Sequence, residues 1–93
     1  MGGELDQVAW TATSVLQGRL SAREAVTILA TLTRQALPTA RELRSTDPTR
    51  ADTYHELVLA LGRELRRTEA TSTEARHVRA LTDDLARLLR ALE

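Results

Sequence analysis

The residues able to do chemistry are few. The chain has two histidines and no cysteine among its 93 residues, with 13 arginines and 13 acidic side chains. Most of the reactive types near one another lie in "RADTYHELVLALGRELRR", residues 50–67, where Arg50, Asp52, Tyr54, His55 and Glu56 stand within two helical turns. Asp52-x-x-His55 and Glu74-x-x-His77 both have the i, i+3 carboxylate–imidazole spacing that di-iron helical bundles use. Antiparallel packing of their two helices argues against a shared centre. His77 then falls opposite residues 63 and 64, and at about 1.5 Å rise per residue the two imidazoles are separated by more than roughly 10 Å. Cysteine-ligated zinc, thiolate catalysis and disulfides are excluded by composition. A glycine-rich phosphate loop and a G-x-S-x-G elbow are absent from the sequence. No catalytic, cofactor-binding or metal-binding residue is therefore expected, and the chain reads as a non-enzyme.

These side chains are carried by helices. Hydrophobic residues make up 42% of the chain, but Phe is absent and Trp and Tyr occur once each. The apolar content is Leu, Ala and Val, which favour or tolerate helix more than strand. Four amphipathic stripes follow at i, i+3, i+4 spacing. The first is Leu5, Val8, Ala9, Ala12, Val15 and Leu16, stopped by Gly18. The second begins at the capping box Ser21–Glu24 and runs through Ala25, Ile28, Leu29, Leu32, Ala36, Ala40 and Leu43.

Pro38 interrupts the second stripe without shifting its register, so one kinked helix is expected rather than a restart at Thr39–Glu42. Asp47 and Pro48 read as the N-cap and first residue of the third helix, whose core face is Tyr54, Leu57, Val58, Leu61 and Leu65. Thr71 and Glu74 are in capping-box register for the last helix, with Ala75, Val78, Leu81, Leu85, Leu88, Leu89 and Leu92 facing inward. The expected fold is all-α: an antiparallel up-down-up-down four-helix bundle in one domain over residues 1–93. Its helices span about 4–17, 22–44 (kinked at Pro38), 48–68 and 72–92. A three-helix bundle with the first helix loosely docked is the alternative.

Arg50, four residues and then His55 resembles the signature of HEPN-type ribonucleases. In that family an Arg and a His on one helix act on RNA phosphate, within a cleft formed by a dimer. The resemblance covers two residues, and the family is usually longer than this chain. It implies an alternative function as a nucleic-acid-binding protein or ribonuclease using Arg50 and His55. A second resemblance lies in "LSAREAVTILATLTRQALPTARELR". This stretch is similar to a family of small uncharacterised helical proteins from high-GC bacteria, with a capped start at Ser21–Glu24 and a proline inside the helix trailed by an acid and Leu, here Pro38, Glu42 and Leu43. It departs in "PTARE", where the family tends to place an acid directly after proline. The resemblance implies a helical fold and carries over no functional residue.

Zero net charge removes the basic excess that usually drives binding to nucleic acid or an anionic membrane. Acids interleave with the arginine clusters, and Asp83 with Arg87 is an expected i, i+4 pair. Nucleic acid, membranes and small-molecule substrates are thus not expected partners. No apolar run approaches the roughly 18 residues that span a bilayer, and "MGGELDQ" lacks the basic-then-apolar order of a secretory signal; a cytoplasmic location is expected. What remains is binding to protein. Trp10 falls about 100° or more off the first stripe, among Asp6, Thr13, Ser14 and Gln17. Leu59 lies on the polar side of the third helix beside Arg63 and Arg66. Trp10, Leu59, Arg63 and Arg66 form the expected interaction surface, for a protein partner or a second copy of the chain.

Overall fold

The computed structural model describes residues 3–67 and 72–90. Its regular structure is four helices: α1, Gly3–Leu16; α2, Ala22–Thr46; α3, Pro48–Arg67; α4, Thr73–Leu89. They form the expected bundle. Asp6 of α1 meets Arg50 and Tyr54 near the start of α3, and Arg44 near the end of α2 meets Leu89 at the end of α4. α1 and α3 therefore run one way, and α2 and α4 the other. α1 packs on α2 and α3, and α4 packs on the same two; among the described residues α1 and α4 do not meet. α2 leans more on α4 than on α3, although only Asp47 separates α2 from α3.

Each boundary has a local cause. Gly18, at φ 76°, turns the chain out of α1 in a left-handed residue. Its N–H reaches Val15 O and the Arg19 N–H reaches Ser14 O, the paired bonds of a Schellman stop. Ser21 caps α2: its hydroxyl accepts from Glu24 N, and the Glu24 carboxylate accepts from Ser21 N. Asp47 then serves two helices. Its N–H donates to Leu43 O to close α2, while its side chain accepts from Arg50 N and its carbonyl from Ala51 N to open α3. The cap of α4 is Ser72, which accepts from Ala75 N. The helix thus begins one residue later than the Thr71–Glu74 register implies; Thr71, Thr68 and Leu92 lie outside the described residues.

α2 passes through Pro38 without a break. Pro38 is exposed, so the carbonyl that loses its intrahelical donor can bond water instead. The core is one cluster fed by all four helices, with Val8, Leu29, Val58, Leu61, Leu65, Leu85 and Leu89 fully or almost fully buried. Two expectations about faces need correction. Leu16 is exposed, because α1 ends there and the chain turns away, whereas Ser14 is buried where the residues after Gly18 fold back onto its carbonyl. On α2, Val26 and Thr33 are buried while Ile28 and Leu32 are only half-buried. α2 touches all three other helices, so its buried face is broader than a single stripe.

Candidate functional site

Tyr54 sits at the centre of the inward face of α3 and is buried to 9% exposure. A buried phenol has to find a polar partner. Its hydroxyl donates to Asp6 Oδ1 on α1. Arg50, one turn earlier on α3, donates from Nη2 to the same Asp6 oxygen at 3.3 Å and to the Tyr54 hydroxyl at 3.1 Å. The guanidinium also lies 5.5 Å from the centre of the Tyr54 ring, within cation–π range. Burial pushes the Tyr54 hydroxyl above its usual pKa, and the Asp6 carboxylate adds to the shift, while Arg50 opposes it. Arg50 is itself held above its ordinary value, first through its bond to Tyr54. The trio joins the first turns of α1 and α3 and forms one wall of a groove of about 680 Å³. The opposite wall is the last turns of α2, with Glu42 and Leu43, and Glu4 stands at the rim.

His55 does something different. Five residues beyond Arg50 it has rotated about 140° around the helix axis, and it faces α4. Its Nδ1 lies 2.9 Å from Ala86 O; a carbonyl only accepts, so Nδ1 carries the proton. The natural intrahelical donor for that carbonyl would be the Arg90 N–H, which bonds to Arg87 O instead as α4 ends. His55 thus satisfies an otherwise open carbonyl at a helix C-terminus. Arg44 of α2 does the same for Leu89 O at 3.1 Å and forms an ion pair with Asp52 at 2.8 Å. One turn of α4 is therefore tied down by side chains from both α2 and α3.

Those contacts decide how the candidate residues are grouped. Arg50 and His55 are turned to different neighbours, α1 and α4. Asp52 pairs with Arg44 rather than sharing a ligand with His55, and His77 Nε2 accepts from Arg34 at 2.9 Å. Among the described residues no three acids or histidines converge in a way that could hold a metal ion. Asp83 pairs with Arg66 of α3 at 2.6 Å, and Arg87 with Asp84, so the expected Asp83–Arg87 pair is replaced. The cross-helix partner wins because Asp83 faces α3 and Arg66 reaches it.

Of the expected interaction residues, Trp10 is 63% and Leu59 37% exposed. Arg63 is exposed with no ion pair among the described residues, and Arg66 is exposed but paired with Asp83. Leu59 and Arg66 share the flank of α3 that carries His55 and meets α4. α1, which carries Trp10, meets the other flank through Tyr54 and Arg50. Leu59, Arg63 and Arg66 therefore form one surface and Trp10 another. No described helix is long and apolar enough to cross a membrane. No protein-family model, no curated protein and no solved structure matches this chain.

Proposed function

We propose that the chain is a non-enzymatic helical interaction module of the cytoplasm, regulatory or accessory in role, that binds another protein or itself. The observation that carries this reading is the exposure of Trp10 on the outer face of α1 and of Leu59 beside Arg63 on α3. In a protein with one tryptophan and no phenylalanine, placing that tryptophan in water forgoes about 2–3 kcal/mol of burial. Support also comes from the residues that might have carried chemistry: Arg50 is engaged by Asp6 and Tyr54, and His55 by the end of α4. Burial of Trp10 and Leu59 contributes a few kcal/mol against an association cost of roughly 4–15 kcal/mol. Each contact is accordingly weak or draws on further surface. The likeness of residues 20–44 to small helical proteins of high-GC bacteria fits a module of this size.

The test is capture from the native host by the tagged chain and by its Trp10→Ala/Leu59→Ala variant, with sedimentation of both proteins. The reading expects a defined partner, or self-association, that the double variant loses while its helical circular dichroism is unchanged. Identical behaviour of the two proteins refutes it.

A further inference from the structure

The chain has zero net charge, but the fold does not spread its charges evenly. One half of the bundle is built from residues 3–9, 35–57 and 82–90, and holds the groove. There eight acids stand against five arginines, Arg41, Arg44, Arg50, Arg87 and Arg90. The other half is built from residues 10–34, 58–67 and 72–81. There eight arginines stand against three acids, Glu24, Glu64 and Glu74. Glu69 and Glu93 lie outside the described residues. Internal ion pairs do not remove the difference. Among the described residues, Arg19, Arg23, Arg63 and Arg76 form none at the basic end, and neither Glu4 nor Glu42 does at the acidic end. The molecule is about 35 Å long and 23 Å across, so the two ends are separated by several screening lengths at physiological salt.

Local helix electrostatics account for only part of this. Glu4 and Asp6 are favoured at the N-terminus of α1, and Arg66 and Arg67 at the C-terminus of α3. Arg23 and Arg76 oppose the dipole in the first turns of α2 and α4, and Glu42 opposes it near the end of α2. Their own helices gain nothing from these three side chains.

We propose that this polarity is an interaction surface whose partner is a second copy of the chain, docked head to tail. The arginine-rich end of one molecule seats on the groove of the next, and Glu4 and Glu42 receive guanidinium groups in charge-assisted bonds. The proposal rests on the reading of the chain as an interaction module and names the partner. Because the two patches differ and lie at opposite ends, the contact is heterologous and propagates as an open row rather than closing at two. Nucleic acid is the less favoured occupant of the basic end. The acidic end of the same chain would repel it, and of the two side chains that could stack on bases, Tyr54 lies in the groove wall at the acidic end and Trp10 stands midway along α1, at the boundary of the two halves.

Sedimentation velocity over a concentration series tests this. At about 0.01 M salt, where screening extends about 30 Å, the average mass should climb past two copies. At about 1 M, where it extends about 3 Å, the chain should return to one copy. Two variants sharpen the test: Glu4→Gln with Glu42→Arg at the acidic end, and Arg23→Glu with Arg76→Glu at the basic end. The three charge reversals complement their own helix dipoles, and unchanged circular dichroism verifies the fold. Each variant alone should be monomeric; mixed, they should associate again, because the intact arginine end of one meets the intact groove of the other and the reversed charges at the two altered ends also complement each other. A wild-type chain monomeric at low salt overturns the proposal, as does a dimer that stops at two. So does a monomer that binds a labelled RNA oligonucleotide through its basic end. If the charge variants associate normally and Trp10→Ala/Leu59→Ala does not, the head-to-tail contact falls and the interaction-module reading stands. If no variant changes any association, both fall.

Discussion

Tyr54→Phe isolates the contact that fastens α1 to α3. The ring stays, so core volume is preserved, and only the hydroxyl between Asp6 and Arg50 is removed. Hydrogen bonds to charged groups contribute about 1.5–3 kcal/mol when shielded. Asp6 and Arg50 are each about half exposed, at 51% and 56%, so solvent screening reduces the expected loss to about 1 kcal/mol. For a chain of this size that corresponds to a fall in Tm of about 5 °C. Asp6→Ala, combined with Tyr54→Phe in a double-mutant cycle, should recover most of that energy as coupling.

The same hydroxyl makes stability fall in alkali. Its pKa is raised in the folded chain, so the folded state holds that proton more tightly than the unfolded state. The resulting stabilisation is complete below the ordinary phenol value of about 10 and is lost as pH rises through the folded value. Urea unfolding at pH 7 and at several values above 9 should show a shallower alkaline decline for Tyr54→Phe than for the parent. Equal midpoints at pH 7 together with an unchanged alkaline slope would refute the assigned role.

Five further substitutions test other parts of the structure. His55→Ala should cost about 1 kcal/mol in urea unfolding by leaving the Ala86 carbonyl without a protein donor; loss of a ribonuclease activity shared with Arg50→Ala, with the fold intact, would contradict a purely structural histidine. Thr33 is fully buried and its hydroxyl has no hydrogen-bond partner among the described residues, so Thr33→Val should be neutral or stabilising by about 1 kcal/mol, read as a rise in Tm. Gly62 lies inside α3, and a methyl group there would meet nothing within 4 Å. Gly62→Ala should therefore raise stability by about 0.5–1 kcal/mol in chemical denaturation. Leu61→Ala, at a fully buried site on the same helix, should cost about 2–5 kcal/mol, while Leu59→Ala should leave the melting curve nearly unchanged.

The helices and the Ser21 and Asp47 caps were legible in the sequence because they depend on residues three or four apart. Stripe spacing and cap chemistry are local, and α3 begins at Pro48 as expected. Partners across helices were not legible. Nothing near Asp83 in sequence marks Arg66 as its partner, since the choice depends on how α3 and α4 are rotated against each other. Tyr54 was the one available signal: a tyrosine at the centre of an apolar stripe implies a polar group opposite. The stripe does not say that the group is Asp6, 48 residues earlier. The open carbonyls of α4, and their capping by Arg44 and His55, depend likewise on where a helix ends in space.

Asp47 imposes a rule on length. With its amide, side chain and carbonyl all committed to the helices on either side, the junction has no slack. One inserted residue, if built into helix, would rotate α3 by about 100° and advance it by about 1.5 Å relative to α2. Tyr54, Val58 and Leu61 would then swing out of the interior together. Natural length variation should therefore spare the spacing from Leu43 to Tyr54. α2 and α3 thus behave as a phase-locked hairpin whose mutual register is set at a single residue.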